Sequence, residues 1–150
     1  MATTAVDRVF VDTNVVVFAS VPAAPLHALA LQKLQDLKQA GAELWFSRQV
    51  VREFLVVVTR PQSFLQPLSS AAAAMEAAKL LSLFAIAEDG PGVMSNLLAL
   101  CRAIPMGGKQ IHDANVVATM QAHGIGKLLT DNTGDFNRFQ GVITTIPLVP

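Results

Sequence analysis

The chain alternates short β-branched or aromatic runs with longer segments of helical spacing. Val9-Phe10-Val11 is a compact apolar run that stops at Asp12 and predicts a buried strand. Pro25 to Ala40 carries Leu26, Leu29, Ala30, Leu34 and Leu37 at helical intervals and is closed by Gly41. Glu43 to Phe46 predicts a second strand. Ser47 then stands as an N-cap for a helix bearing Val50, Val51, Phe54, Leu55 and Val58, stopped by Arg60-Pro61. The alanine-rich stretch Ser69 to Leu83 reads as a closely packed helix, since Ala is the strongest helix former. Phe84 to Ala87 predicts a third strand, Val93 to Ile104 a helix, Pro105 to Gly108 a loop, and Ile111 to His123 a helix ended by Gly124. Lys127 to Thr130 and Val142 to Ile146 complete the strands. Strand and helix in alternation predict an α/β fold around a mainly parallel five-stranded sheet, organised as one domain over residues 1–150.

Composition narrows the classes. The chain has 150 residues, 52% hydrophobic and 15% charged, so it can bury a full core and lacks the signature of disorder. Its longest uninterrupted apolar run is five residues, as in Phe54 to Val58, far short of a membrane span of about 20. Val15 to Ala24 is apolar and ends in small residues, but Asp7, Arg8 and Asp12 precede it, which is the wrong charge for a secretory leader. A single cysteine, Cys101, permits no internal disulfide and fits a cytoplasmic setting. It lies in Leu97-Leu98-Ala99-Leu100 and reads as a buried packing thiol. Tyr is absent and Trp45 is the only Trp, so any stacking platform for a base must use Phe.

The chemistry lies in the carboxylates. Asp12 ends a strand where ligands collect in parallel sheets. Glu53 borders the buried stripe of its helix, and Asp113 shares the inward face of Val116, Val117 and Met120. Asp131 and Asp135 bracket a loop directly after the Lys127–Thr130 strand. Singly, each has an ordinary explanation: a cap for Asp12, a surface acid paired with Arg60 or Gln49 for Glu53, a dipole partner for Asp113, loop composition for the last two. Together they fall at one edge of the sheet. Four carboxylates within about 5 Å repel one another by on the order of 3 kcal/mol per pair at an effective dielectric near 20. Such a cluster needs bound cations or raised pKa values. An all-oxygen donor set favours Mg²⁺ or Mn²⁺, and acids around a hard cation suit attack of activated water on a phosphodiester. No phosphate-loop, serine-hydrolase or zinc-protease motif is present, and His27, His112 and His123 have no metal spacing.

Four ordered segments carry a resemblance. Val9-Phe10-Val11-Asp12-Thr13-Asn14, Ser47 to Phe54, Gly108 to Asn115 and Leu128 to Phe136 resemble the motifs of PIN domains, most nearly those of bacterial VapC-type toxins. The likeness runs from about residue 9 to Pro147. It implies a three-layer α/β/α domain, Mg²⁺ or Mn²⁺ dependence and endonucleolytic cleavage of RNA. It also implies a homodimer, inhibited by a cognate antitoxin whose tail enters the acidic groove. Asp12, Glu53, Asp113 and Asp135 fall on the family's acidic positions, with Asp131 as an auxiliary at a variable position. Thr13 and Asn14 would support the metal site, Thr130 and Asn132 would shape its floor, and Arg48, Arg52 and Lys109 would grip the RNA backbone. Two alternatives stand beside this reading: a PIN-like module that binds without cutting, and a haloacid-dehalogenase-like phosphatase. The latter wants a second acid two residues after Asp12, where this chain has Asn14.

With Asp12, Glu53, Asp113, Asp131 and Asp135 set aside, eleven bases face six acids. Zero net charge thus conceals an acidic notch in a body of charge +5, which is compatible with RNA.

Overall fold

A computed structural model describes residues 5–150. Five parallel strands, β1 (Arg8–Val11), β2 (Glu43–Phe46), β3 (Ala85–Ile86), β4 (Lys127–Thr130) and β5 (Thr144–Pro147), form one sheet in the order β3-β2-β1-β4-β5. The helices are α1 (Thr13–Ser20), α2 (His27–Gln39), α3 (Arg48–Val58), α4 (Ser70–Leu83), α5 (Pro91–Ala103) and α6 (Gln110–Ala122), with a 3-10 segment at Thr133–Phe139. The arrangement is the expected three-layer α/β/α fold with a fully parallel sheet. Among the described residues no helix is long and apolar enough to cross a membrane.

The strand order explains where a site must form. From β1 the chain works outward through β2 to β3, then returns to β4 on the other side of β1 and ends at β5. Connections therefore diverge at the carboxyl ends of β1 and β4 and leave a crevice there. The two strands pair with Phe10 opposite Leu128, and Asp12 N–H donates to Leu129 O at 3.0 Å, which fixes the rim of the crevice. Val9, Phe10, Val11, Leu128 and Leu129 are buried, as strands covered on both faces require. They anchor a continuous core reached by Phe46, Phe54, Val117, Met120 and Phe139.

Most elements lie within two residues of their expected bounds. The chief addition is α1, where the Val15-Val16-Val17 run forms a helix although β-branched residues have low helix propensity. Asp12 caps it, its Oδ1 accepting from Thr13 N at 2.8 Å, and all three valines are buried; tertiary packing overrides a weak local preference. Two other expectations are corrected. Ser47 occupies the N-cap position of α3 but its side chain makes no cap bond, and its buried Oγ has no partner among the described residues. Cys101 is exposed, because it follows the inward Leu100 and lies about 100° further round α5.

Candidate active site

At the crevice the structure opens a cavity of about 690 Å³ lined by Asp12, Glu53, Asp113 and Asp135, together with Thr13, Asn14 and Asn132. Each acid arrives on a different element: the end of β1, the middle of α3, the first turn of α6 and the first turn of the 3-10 segment.

Asp12 is the most tightly held. Its Oδ1 accepts from Thr13 N, and its Oδ2 from Thr130 Oγ1 at 2.8 Å and Asn14 Nδ2 at 3.3 Å. Asn14 is fixed in turn, since Asp131 N donates to its Oδ1 at 3.1 Å. Burial pushes the Asp12 carboxyl above its ordinary range, while the bonds from Thr130, Thr13 and Asn14 pull the other way and Glu53 adds repulsion. Glu53 has both oxygens engaged, Oε2 by Thr13 Oγ1 at 2.6 Å and Oε1 by Gln49 Nε2 at 2.9 Å. One threonine thus binds two acids, through its backbone to Asp12 and its hydroxyl to Glu53.

Asp113 differs. Among the described residues no protein group donates a hydrogen bond to its carboxylate, and it is pushed up to about 6. Burial is the main cause, followed by repulsion from Asp135, Asp12 and Glu53, with Arg138 opposing them. Three of its four perturbing charges are therefore the other acids of the cavity. The fourth, Arg138, is a residue that sequence reasoning did not single out.

Not every anticipated residue lines this space. Arg52 and Lys109 do; Arg48 does not. Its guanidinium is turned to Glu88, with Nε and Nη2 donating at 2.9 and 2.6 Å, because an exposed partner just beyond the neighbouring strand β3 offers both oxygens. Asp131 contributes its backbone N–H to Asn14 rather than a carboxylate to the cavity, and Thr130 acts from beneath by holding Asp12. Of the two loop aspartates, Asp135 is the one that faces Asp113.

Sequence reasoning also missed a link between α3 and α6. Gln49 donates to Glu53 Oε1 and to His112 O at 3.0 Å, while its Oε1 accepts from Asn115 Nδ2 at 2.8 Å. The i, i+4 spacing of Gln49 and Glu53 marks that half of the link, but nothing local marks Asn115 as its other end.

The donor chemistry suits a hard divalent cation: four carboxylates, the amides of Asn14 and Asn132 and the Thr13 hydroxyl offer oxygen around an open cavity. The acids stand around the cavity, however, and among the described residues no three come together at ligand spacing. A cation held between them would offset their mutual repulsion. With Arg52, Arg60 and Lys109, the lining holds four acids and three bases, so one divalent ion reverses its charge from −1 to +1.

No curated protein matches the sequence. Several solved structures share the fold. A VapBC2 complex of Rickettsia felis bound to promoter DNA matches with a TM-score of 0.66 at 14% identity, covering 93% of this chain and 98% of that one. A toxin–antitoxin complex from Klebsiella pneumoniae matches with a TM-score of 0.66 at 20% identity, covering 93% and 97%. The Mycobacterium tuberculosis toxin VapC20, which cleaves the sarcin–ricin loop, matches with a TM-score of 0.63 at 16% identity, covering 91% and 96%. The PIN domain family model matches residues 9–142, a span that includes all four acids of the cavity. The chain belongs to the PIN domain family.

Proposed function

We propose that the protein is an endoribonuclease, the toxin of a toxin–antitoxin pair, using Mg²⁺ or Mn²⁺ held by Asp12, Asp113, Glu53 and Asp135. The observation that carries this reading is that four carboxylates line one cavity of a PIN fold, where burial first and the other acids second push Asp113 up to about 6. An acidic cavity of this kind disfavours both folding and RNA unless something positive enters it.

When bound, the cation would polarise the phosphodiester and lower the pKa of an attacking water. Hydrolysis forms one bond from water oxygen to phosphorus and breaks one to a ribose oxygen, which leaves with a proton. Asp12, fixed by Thr13, Thr130 and Asn14, provides the immobile ligand. Glu53 is oriented by Thr13 and Gln49, whereas Asp113 and Asp135 complete the set from the opposite wall. Arg52 and Lys109 at the rim suit the flanking backbone, and Asn132 shapes the floor. The toxin–antitoxin complexes among the neighbours support an antitoxin partner; a homodimer and a cytoplasmic setting for a single domain belong to the same reading.

The test is cleavage of single-stranded and structured RNA with Mg²⁺ or Mn²⁺, alongside growth on induction. Asp12→Asn is expected to lower cleavage by about 100-fold or more and to relieve growth arrest. Equal cleavage by Asp12→Asn, or none by the native chain with either metal, sinks the proposal.

A further inference from the structure

Each acid of the cavity that follows β1 arrives with a base on or beside the same element. Glu53 follows Arg52 on α3, Asp113 lies one turn after Lys109 at the start of α6, and Asp135 lies one turn before Arg138 on the 3-10 segment. Arg52 and Lys109 reach the cavity lining, and Arg138 does not. A 3-10 helix turns once in about three residues, so Asp135 and Arg138 are eclipsed on one face, and Phe136 and Phe139 on the next. Both phenylalanines are buried, with ring centroids 6.3 Å apart, and they pin the segment to the core beside α6. The Asp113 carboxyl on α6 feels both charges of the other face, Asp135 raising it and Arg138 lowering it.

Arg138 is unlike the other arginines. Arg8 and Arg48 are exposed and paired with Glu43 and Glu88, and Arg52, Arg60 and Arg102 are exposed to water. Arg138 alone among the arginines is half-buried. Among the described residues no carboxylate comes within 4.0 Å of its guanidinium, and no acceptor takes a hydrogen bond from it. None of its nitrogens is sealed from solvent. A partly covered side chain with a reachable, unpartnered head is a donor set in place for something from outside the chain. We propose that Arg138 holds a nonbridging oxygen of an RNA phosphate beside the scissile bond, on the Asp113–Asp135 side of the cavity; this rests on the ribonuclease reading above.

The chemistry of the fork selects the ligand. A guanidinium presents five N–H donors in one plane and accepts nothing, so its partner is an anion with two oxygens, and phosphate matches that geometry. It cannot hold a metal ion, and its charge opposes one at Asp113; it suits instead the anion that the ion brings with it. RNA must also pass Asp113 and Asp135, whose charges repel it, and a base within reach of both offsets that repulsion. Arg138 gives the 3-10 wall the base that Arg52 gives α3 and Lys109 gives α6. A carboxylate of an acidic protein fits one such fork, whereas the regular phosphates of a strand meet bases on three elements together, which favours RNA.

The experiment uses short single-stranded oligoribonucleotides with Mn²⁺ over a range of salt. Binding is read by fluorescence anisotropy in the Asp12→Asn background, and cleavage in the native one. Arg138→Gln should weaken binding about tenfold and lower the slope of log affinity against log salt by about 0.7, the share of one phosphate. A neutral methylphosphonate at one position flanking the cleaved bond should cost the native chain a similar factor. The same oligonucleotide should cost Arg138→Gln almost nothing further, since the contact is already gone. Arg138→Lys should restore the slope but only part of the affinity, because an ammonium lacks the fork. If Arg138→Gln does not fold, Arg138→Lys carries the test through its smaller loss on the methylphosphonate. Lys38→Gln, in the last turn of α2 before the amino end of β2, should leave the slope unchanged. Mn²⁺ binding without RNA, read by calorimetry, should be no weaker in Arg138→Gln. The contact is overturned if the salt slope of Arg138→Gln equals the native one, as it would if an acidic protein filled the fork. It is equally overturned if the methylphosphonate and Arg138→Gln losses multiply at every position, or if Arg138→Gln weakens Mn²⁺ in proportion to its loss of RNA. RNA bound and cut alike by the native chain and Arg138→Gln sinks the contact alone. RNA neither bound nor cut by the native chain sinks the ribonuclease reading with it.

Discussion

The two ends of the sheet treat charge in opposite ways. At the amino ends of the strands, Asp7 meets Lys127 at 3.0 Å and Glu43 meets Arg8 at 3.3 Å, each pair of opposite sign and about half exposed. At the carboxyl ends, Asp12, Glu53, Asp113 and Asp135 share one cavity, and Asp113 is pushed up to about 6. The first arrangement is what a surface selected only for solubility produces. The second opposes folding, because acids are gathered where burial and repulsion both disfavour their charge. A chain that tolerates such a cluster at the topological switch point of its sheet has a use for it.

The sharpest way to break this contrast is to add a divalent cation. Mn²⁺ or Mg²⁺ at a hundred times its dissociation constant should stabilise the native chain by about 2.7 kcal/mol. For a domain of this size that is a rise in Tm of several degrees. The rise should vanish in Asp113→Asn and persist in Asp7→Asn, as differential scanning fluorimetry can establish. An equal rise in both variants means that the ion binds outside the acidic cavity.

Acid titration probes the same contrast without metal. The carboxyl of Asp113 is held near 6 in the fold and near 3.8 in the unfolded chain, so the native state binds the proton more tightly. Its unfavourable contribution is absent below about pH 4, grows as pH rises through 6, and is complete above that. Burial lifts Asp12 in the same direction. In chelator, the chain should therefore lose stability between pH 4 and 7. Asp113→Asn should flatten the curve and gain about 1–2 kcal/mol at pH 7, allowing for solvent screening of a half-buried carboxylate. Chemical denaturation at several pH values measures this, and a native curve that instead rises over the interval contradicts the assigned strain. With Mn²⁺ the slope should reverse, because cation and proton compete for the same oxygens.

Gln49 gives a smaller effect on the acidic side. Gln49→Leu removes the donor to Glu53 and His112 and the acceptor for Asn115, which should cost about 1 kcal/mol of stability. Loss of Glu53 orientation should also weaken Mn²⁺ binding by about 10–100-fold, the usual consequence of removing a group that positions a ligand. Unchanged metal affinity by calorimetry assigns Gln49 a purely structural role.

These side chains also mark the limit of what a sequence discloses. The parallel sheet and two of the cavity's acids were legible because a compact apolar run ends at Asp12, and because Asp113 shares the inward face of Val116, Val117 and Met120. α1 was not, since three valines in a row give no helical period, and only packing against the sheet decides their conformation. The choice of Asp135 over Asp131 depends on a 3-10 segment after β4 that turns one carboxylate inward and leaves the other as a backbone donor. Arg48 adjoins a motif in sequence, yet its pairing with Glu88, forty residues away, draws it aside. Local pattern carries the elements and the strand ends; long-range hydrogen bonds decide which neighbouring side chain faces the cavity.

The least effect should come from the paired end. Lys127–Asp7 is about half exposed on both sides, where attraction between opposite charges is largely offset by hydration and side-chain entropy. Asp7→Asn should therefore change stability by at most about 0.5 kcal/mol, and less still in high salt. RNA cleavage and metal affinity should not move at all, because the pair lies at the opposite end of the strands from the acids. The measurement pairs denaturation with cleavage for Asp7→Asn and Asp113→Asn. The contrast holds only if Asp7→Asn leaves both readouts nearly unchanged while Asp113→Asn gains stability and loses cleavage. If removing Asp7 also raises the stability of the metal-free chain at pH 7, repulsion is spread over the whole molecule, and the strain does not belong to the cavity.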